Sequence, residues 1–210
     1  MQTPLEFWER KYRGVSAHQG GPHGLAEELN KCLRPGSIVL ELGCGDGRDA
    51  LYLAESQHRV IACDFSYTAL SRFTEAAARL CIERHVLDIT ALPYSFADEG
   101  FDAVYARLSL HYFSRAVTRD IFAEIARILR PTGIFLGLFN SHFDAENATG
   151  TRLEDRYYEL APGSRKRFFM AEEAAGLLGP AFHQVDSRYV EAAPNRPEKQ
   201  LVRICAERRP

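Results

Sequence analysis

From residue 37 onward, short apolar runs alternate with longer stretches in which apolar residues recur at helical spacing. The runs predict strands over 37–42, 59–63, 84–87, 101–106 and 133–139, and the spacing predicts helices over 48–56, 66–80 and 114–129. In the last of these, Ile121, Phe122, Ile125 and Leu129 form one apolar stripe, and Pro131-Thr132-Gly133 ends it. Each stripe needs a surface to bury against. Strands and helices in alternation therefore imply a mostly parallel sheet covered on both faces.

The two ends depart from this alternation. At the start, Thr3 can cap a helix, Pro4 suits its first turn and Glu6 completes a capping box. Leu5, Trp8 and Tyr12 then share a face, and Trp8 and Tyr12 either cover the core or line a site. Residues 16–24 read as a loop by their glycines and proline, and a short helix follows over 25–33. At the other end, "AFHQVDSRYV" and "QLVRICAE" predict strands joined by a loop around 194–198, close enough to pair antiparallel. Residues 141–167 show no regular partner. They are polar, rich in Tyr and Arg, and follow a sheet strand, which suggests a lid or substrate-side insertion. The expected organisation is a single domain over 1–210. It comprises a helical cap over 1–33, a ligand-binding core over 37–140, the insertion over 141–170 and a strand pair over 181–207.

A length of 210 residues suits one domain with a sizeable core. No stretch approaches the ~20 apolar residues of a membrane span. The start carries Glu6, Glu9, Arg10, Lys11 and Arg13 and lacks the apolar centre of a signal peptide, so a soluble, cytoplasmic protein is expected. A net charge of −2 gives no support for nucleic acid as the main partner. Arg165-Lys166-Arg167 reads as a solvated face or a small anion contact. The 5 cysteines form no CxxC and are odd in number, which argues against a disulfide framework or zinc pattern; Cys44 and Cys63 read as packing residues. His18, His23, His58, His85, His142 and His183 read as surface or loop residues whose spacing offers no metal site.

The candidate chemistry starts at "VLELGCGDGRDALYLA", residues 39–54. Glycines between a first strand and its helix let the backbone approach a nucleotide ligand. A dinucleotide site wants GxGxxG, and this chain has Arg48 where the third glycine belongs. Glu41 sharpens the reading. A carboxylate there would repel a pyrophosphate and suit an ammonium or sulfonium, both of which S-adenosylmethionine carries. The second strand ends at Asp64, which can accept from ribose hydroxyls. The third ends at Asp88-Ile89, able to meet an adenine amino group and ring. The fourth runs into "ARLSLHYF" above the same sheet edge.

Together, "ELGCGDG", "ACDFS", "LDIT", "FDAVYARLSLHYF" and "EIARILRPTGIF" resemble the ordered motifs of class I S-adenosylmethionine-dependent methyltransferases over about residues 37–140. The resemblance implies an α/β, Rossmann-like fold. Its seven-stranded sheet would be mostly parallel, with helices on both faces and a C-terminal antiparallel strand. "FWERKY" and "RYYELAPGSRKRFF" more loosely resemble the small-molecule branch related to tellurite-resistance and thiopurine methyltransferases. Pro131-Thr132-Gly133 stands where the family more often has Pro-Gly-Gly, a departure that should affect only a turn.

The implied activity is methyl transfer from S-adenosylmethionine to a small-molecule O, N or S nucleophile, leaving S-adenosylhomocysteine. The expected cofactor contacts are Glu41, Gly43, Cys44, Gly45, Gly47, Asp64, Phe65, Asp88, Ile89 and Arg107. Trp8, Tyr12, Tyr112 and Tyr157 are expected on the acceptor side, with His111 as a base or orienting group. Plainer roles compete: Asp64 as a helix-start acid, Asp88 as a turn former, His111 as a histidine bonded to backbone. The sequence has no Asn-Pro-Pro-Tyr or Pro-Cys motif, which weighs against amino- and ring-methylating nucleic-acid enzymes. A non-catalytic module binding the same cofactor stays open, and a nicotinamide oxidoreductase is disfavoured by Arg48. Acceptor identity and oligomeric state stay open too.

Overall fold

Period-two alternation along the strands sends apolar side chains to both faces of one sheet, and separate helices close each face. The computed structural model describes residues 3–14, 21–161, 163–191 and 199–210. The first half runs α1 (Pro4–Gly14), α2 (Gly24–Cys32), β1 (Ile38–Leu42), α3 (Arg48–Glu55), β2 (Arg59–Asp64), α4 (Tyr67–Ser71), α5 (Thr74–Arg79) and β3 (Glu83–Val86). The second runs β4 (Phe101–Arg107), α6 (Arg115–Ile128), β5 (Leu129–Asn140), β6 (Thr151–Glu154), β7 (Tyr157–Ala161), β8 (Ser164–Arg167), α7 (Ala174–Leu178), β9 (Phe182–Glu191) and β10 (Gln200–Arg208).

The main sheet is 7-stranded in the order β3-β2-β1-β4-β5-β10-β9. Only β10 runs antiparallel to its neighbours, β5 and β9. Val39, Val60, Ala62 and Ala103 pack with Leu29 of α2 and Leu53 of α3 on one face. Leu40, Ile61, Val104 and Phe135 pack with Phe122 and Ile125 of α6 on the other. The strand order reverses between β1 and β4, which opens a crevice above their C-terminal ends.

The local signals act as expected at several helix starts. Glu6 accepts from the Thr3 amide at 2.8 Å and the Thr3 hydroxyl accepts from the Glu6 amide at 3.2 Å, completing the box. Ser114 caps α6 by accepting from the Val117 amide. The helix expected over 66–80 is instead split into α4 and α5. Phe73, between them, is buried beside the glycine turn, where a Cβ on Gly47 would lie 2.5 Å from its ring.

Residues 141–167 also differ from expectation. They hold a separate 3-stranded antiparallel sheet, β6-β7-β8. Arg156 lies in the β6–β7 turn and Gly163 in the β7–β8 turn, with left-handed φ of 55° and 80°. The short helix α7 has too few residues to show a period. His18, residues 16–20 of the expected loop, and the linker around 194–198 lie outside the described residues.

Pro131-Thr132-Gly133 lies inside β5, where the pairing with β4 shifts register. Thr132 is exposed with φ of 63°, a region that crowds a β-branched side chain and leaves glycine free. Thr132→Gly should therefore stabilise the protein by about 1 kcal/mol. Thermal unfolding should show a Tm rise of ~2–4 °C; an unchanged or lower Tm would count against strain at this turn.

Candidate active site

β1 carries Glu41 to the crevice, and the chain must then reverse into α3. Gly43, Gly45 and Gly47 make the reversal with left-handed φ of 74°, 58° and 79°. The amides of Gly43 and Cys44 donate to the Cys63 carbonyl at 2.8 and 2.9 Å, which ties the turn to β2. Space imposes a second limit. A Cβ on Gly43 would lie 2.3 Å from the Ser109 side chain, and one on Gly45 would lie 2.5 Å from the Tyr12 hydroxyl. Asp64, at the end of β2, accepts from the amides of Gly45 and Ser66 at 2.9 Å each.

The turn is ringed by carboxylates. Glu41 is buried and its Oε2 has no hydrogen-bond partner. Burial, followed by the charges of Asp49 and Asp64, pushes its carboxyl well above the usual range; Arg107 opposes this. Burial also raises Asp64, against the pull of its amide donors. For Asp49 burial is the largest influence as well, but the hydrogen bonds outweigh it and the carboxyl lies below its usual range. The His23 amide donates to Asp49 Oδ1 at 2.8 Å. His23 Nδ1 lies 2.9 Å from Oδ2, and the Tyr105 hydroxyl donates to Oδ2 at 2.8 Å. The result is a recess of negative potential that can take an ammonium or sulfonium and would repel a phosphate. Burial pushes the Cys63 thiol up to about 12, in keeping with a packing role.

A cover lies over this recess. No residue of α1 is fully buried, and polar contacts hold the helix in place. Glu9 accepts from the Ser66 hydroxyl at 2.9 Å, the Thr68 amide at 3.2 Å and the Thr68 hydroxyl. Arg72 donates to the Tyr12 carbonyl at 2.5 Å. Trp8 stacks on Tyr12 with centroids 6.0 Å apart and meets Tyr112 edge-on at 5.8 Å. From the small sheet, the Tyr157 hydroxyl donates to the Tyr112 carbonyl at 3.2 Å. The Arg167 amide donates to the His111 carbonyl at 2.7 Å. Trp8, Tyr12, Tyr112 and Tyr157 are thus brought together.

His111 is buried, its ring centroid 4.2 Å from that of Tyr112 and its Nδ1 unpartnered. Burial, aided by Lys166 and Lys199, pushes its pKa down to about 3. Such an imidazole is a weak base at neutral pH, which tells against the general-base expectation. Asp88 is exposed and accepts from the Thr90 amide and hydroxyl at 2.9 and 2.8 Å, so it makes the turn that its plainer role requires. Ile89 packs at the margin of the core, and Phe65 and Arg107 are half-buried near the strand ends.

Sequence reasoning missed the Asp49 clasp and the Glu9 latch. Asp49 offered a weak signal, an acid in the first turn of a helix that buries Ala50 and Leu53. His23, read as a loop residue, is its partner from 26 positions away, a pairing that no local pattern encodes.

An open sheet with an acidic glycine turn at its switch point gives a Rossmann-like fold whose crevice suits a cationic ligand. Residues 39–133 match the family model described as a methyltransferase domain. An uncharacterized methyltransferase of Synechocystis sp. is 34% identical over 146 residues, covering 64% of this chain and 66% of that protein. A tRNA N(3)-methylcytidine methyltransferase of Drosophila melanogaster is 28% identical over 172 residues, covering 76% of this chain and 52% of that protein. The chain thus spans less than two thirds of these curated relatives. A Burkholderia thailandensis 1,6-didemethyltoxoflavin-N1-methyltransferase, solved with 1,6-didemethyltoxoflavin and S-adenosylhomocysteine, shares the fold. Its TM-score is 0.74 at 23% identity, over 96% of this chain and 84% of that one. Residues 39–133 are thus a methyltransferase domain, and the chain shares its fold with S-adenosylmethionine-dependent methyltransferases.

Two pH-linked outcomes follow from the buried groups. His111 resists protonation in the folded state, so the unfolded chain binds more protons as pH falls below 6.5 toward about 3, and stability is lost across that window. Urea unfolding should show about 2 kcal/mol of loss from this group between pH 7 and pH 5. His111→Gln should flatten the slope, and an unchanged slope would contradict a buried neutral ring. Glu41 has the opposite linkage. Its raised folded pKa means that stability is lost as pH rises above the ordinary 4.5. Ligand-free Glu41→Gln should therefore melt ~2–4 °C higher than the parent at pH 7, with the gain fading in acid. Equal melting at pH 7 would show that the carboxylate is compensated within the fold.

Proposed function

We propose that this protein transfers the methyl group of S-adenosylmethionine to a small-molecule acceptor in the cytoplasm, with residues 1–210 acting as one catalytic domain. The observation that carries the reading is the buried Glu41 carboxyl, its Oε2 unpartnered, among Asp46, Asp49 and Asp64, a set of acids suited to a cationic ligand. Gly43 and Gly45 give backbone access beside it. In this reading Glu41 meets the amino-acid end of the cofactor, and Asp64 holds the ribose with lone pairs not used by its amide donors. Asp88 and Ile89 meet the adenine, while Gly47, Cys44, Phe65 and Arg107 complete the cradle. When bound, the cofactor supplies a methyl group on a cationic sulfur, open to in-line displacement by a nucleophile.

The protein's own part is alignment and exclusion of water. Trp8, Tyr12, Tyr112 and Tyr157 form an aromatic cover that would enclose the acceptor. His111, neutral and with a free ring nitrogen, would orient an acceptor by accepting its hydrogen bond. Coverage of the crevice by α1 and the small sheet favours a compact acceptor over a polymer. Among the described residues, no helix is long and apolar enough to cross a membrane. A second reading, transfer to RNA, is favoured by the likeness to a tRNA methyltransferase.

S-adenosylhomocysteine at about 100 times its Kd should stabilise the protein by about 2.7 kcal/mol. Asp64→Ala should weaken that binding by roughly 2–3 kcal/mol, the scale of charge-assisted bonds. Stabilisation by NADH in its place would reject the cofactor assignment. Release of S-adenosylhomocysteine should accompany turnover of small acceptors and be absent with tRNA; the reverse result would establish the RNA reading.

A further inference from the structure

We propose that the acceptor is a small aromatic anion, held by Lys11 and Lys166 beside the contact between Trp8 and Tyr112. This rests on the methyl-transfer reading of the same crevice. Lys11 lies on α1 with its Nζ 4.2 Å from the centroid of the Trp8 ring. Among the described residues it has no carboxylate partner. Lys166 lies on β8, next to the Arg167 amide that bonds the His111 carbonyl at 2.7 Å. Its Nζ is 2.6 Å from Glu146 Oε1, and Lys199 stands 4.0 Å from Asp144 Oδ2. Ammonium groups thus stand on α1, β8 and the approach to β10, and among the described residues Glu146 and Asp144 are the carboxylates that pair with them.

Partial burial, followed by the charge of Lys166, lowers the proton affinity of Lys11. Lys166 and Lys199 both add to the burial that keeps His111 neutral. Like charges at close range are costly, and Glu146 and Asp144 set two carboxylates against three ammonium groups. His111 Nδ1, buried and unpartnered, is a further polar group awaiting a partner. The rings of Trp8, Tyr12 and Tyr112 supply flat apolar surface in the same place. The crevice is therefore divided electrically, with carboxylates at the ends of β1 and β2 and ammonium groups on α1 and the small sheet. A cationic cofactor and an anionic acceptor would each be steered to its own half.

The test is calorimetric binding to the full chain saturated with S-adenosylhomocysteine. The probes are 4-hydroxybenzoate and indole-3-acetate, each against its neutral amide. At least one acid should bind about tenfold tighter than its amide, the scale of one charge-assisted contact. The preference should shrink with added salt. It should vanish in the doubly substituted Lys11→Met, Lys166→Met protein and survive in the Lys11→Arg, Lys166→Arg protein. Affinity for S-adenosylhomocysteine should be unchanged throughout, which shows that the variants fold and retain the cofactor half. Amides binding as well as the acids, no binding by any probe, or a preference that survives in the methionine variant would each overturn the proposal. If the acids bind selectively but no acceptor is methylated, the anion site stands and the methyl-transfer reading fails.

Discussion

A buried carboxyl group with one unpartnered oxygen governs this structure. Glu41 lies in a central strand between apolar neighbours, and its Oε2 makes no hydrogen bond. Burying such a group costs several kcal/mol unless something compensates it. The surroundings make matters worse, since Asp49 and Asp64 add like charge. What the fold does supply is rigidity. Asp49 is fixed by His23 and Tyr105, Asp64 by two backbone amides, and the glycine turn by the Cys63 carbonyl. The recess thus has a fixed shape. Stability given up at a site in this way is the usual cost of preorganised binding.

The parts around the recess are attached by different means. The sheet is locked between two apolar cores, so its strand ends have little freedom. The small sheet is anchored through Arg167, which is buried, pairs with Glu154 and donates to the carbonyls of His111 and Phe113. By contrast, α1 contributes no fully buried residue and depends on Glu9, Arg72 and a few ring contacts. Elements with few buried apolar contacts open at low free energy. A cover that must admit a cofactor and an acceptor benefits from that weakness, whereas the small sheet acts as a fixed wall.

The division also explains why the matched domain says more about the fold than about the acceptor. The matched domain, residues 39–133, includes the glycine turn, Asp64, Asp88 and His111. Trp8, Tyr12, Lys11, Tyr157 and Lys166 all lie outside it. Relatives with this core include a methyltransferase for tRNA, and a solved neighbour is a 1,6-didemethyltoxoflavin-N1-methyltransferase. A fold hosts many functions, and selectivity lies in the segments grafted around it. Here those segments are an N-terminal helix and an antiparallel sheet inserted after β5.

The sequence by itself determined the alternation of strands and helices, the reversal at the glycine turn, the antiparallel final strand and the acidic strand ends. These follow from local rules, since periodicity is set by backbone geometry and positive φ selects glycine. It did not reveal β6, β7 and β8, because short polar strands bury too little to leave a two-residue rhythm. Nor did it reveal the break at Phe73, which exists because that ring fills space beside Gly47. Only the tertiary structure decided that His23 hydrogen-bonds Asp49, that Glu9 accepts from the first turn of α4, and that Lys11 lies over the Trp8 ring. It also decided that His111 is a neutral, buried ring. Each of these depends on burial and on distances between segments remote in sequence. Desolvation and Coulomb energy are set by what surrounds a group in space, and no local pattern carries that information.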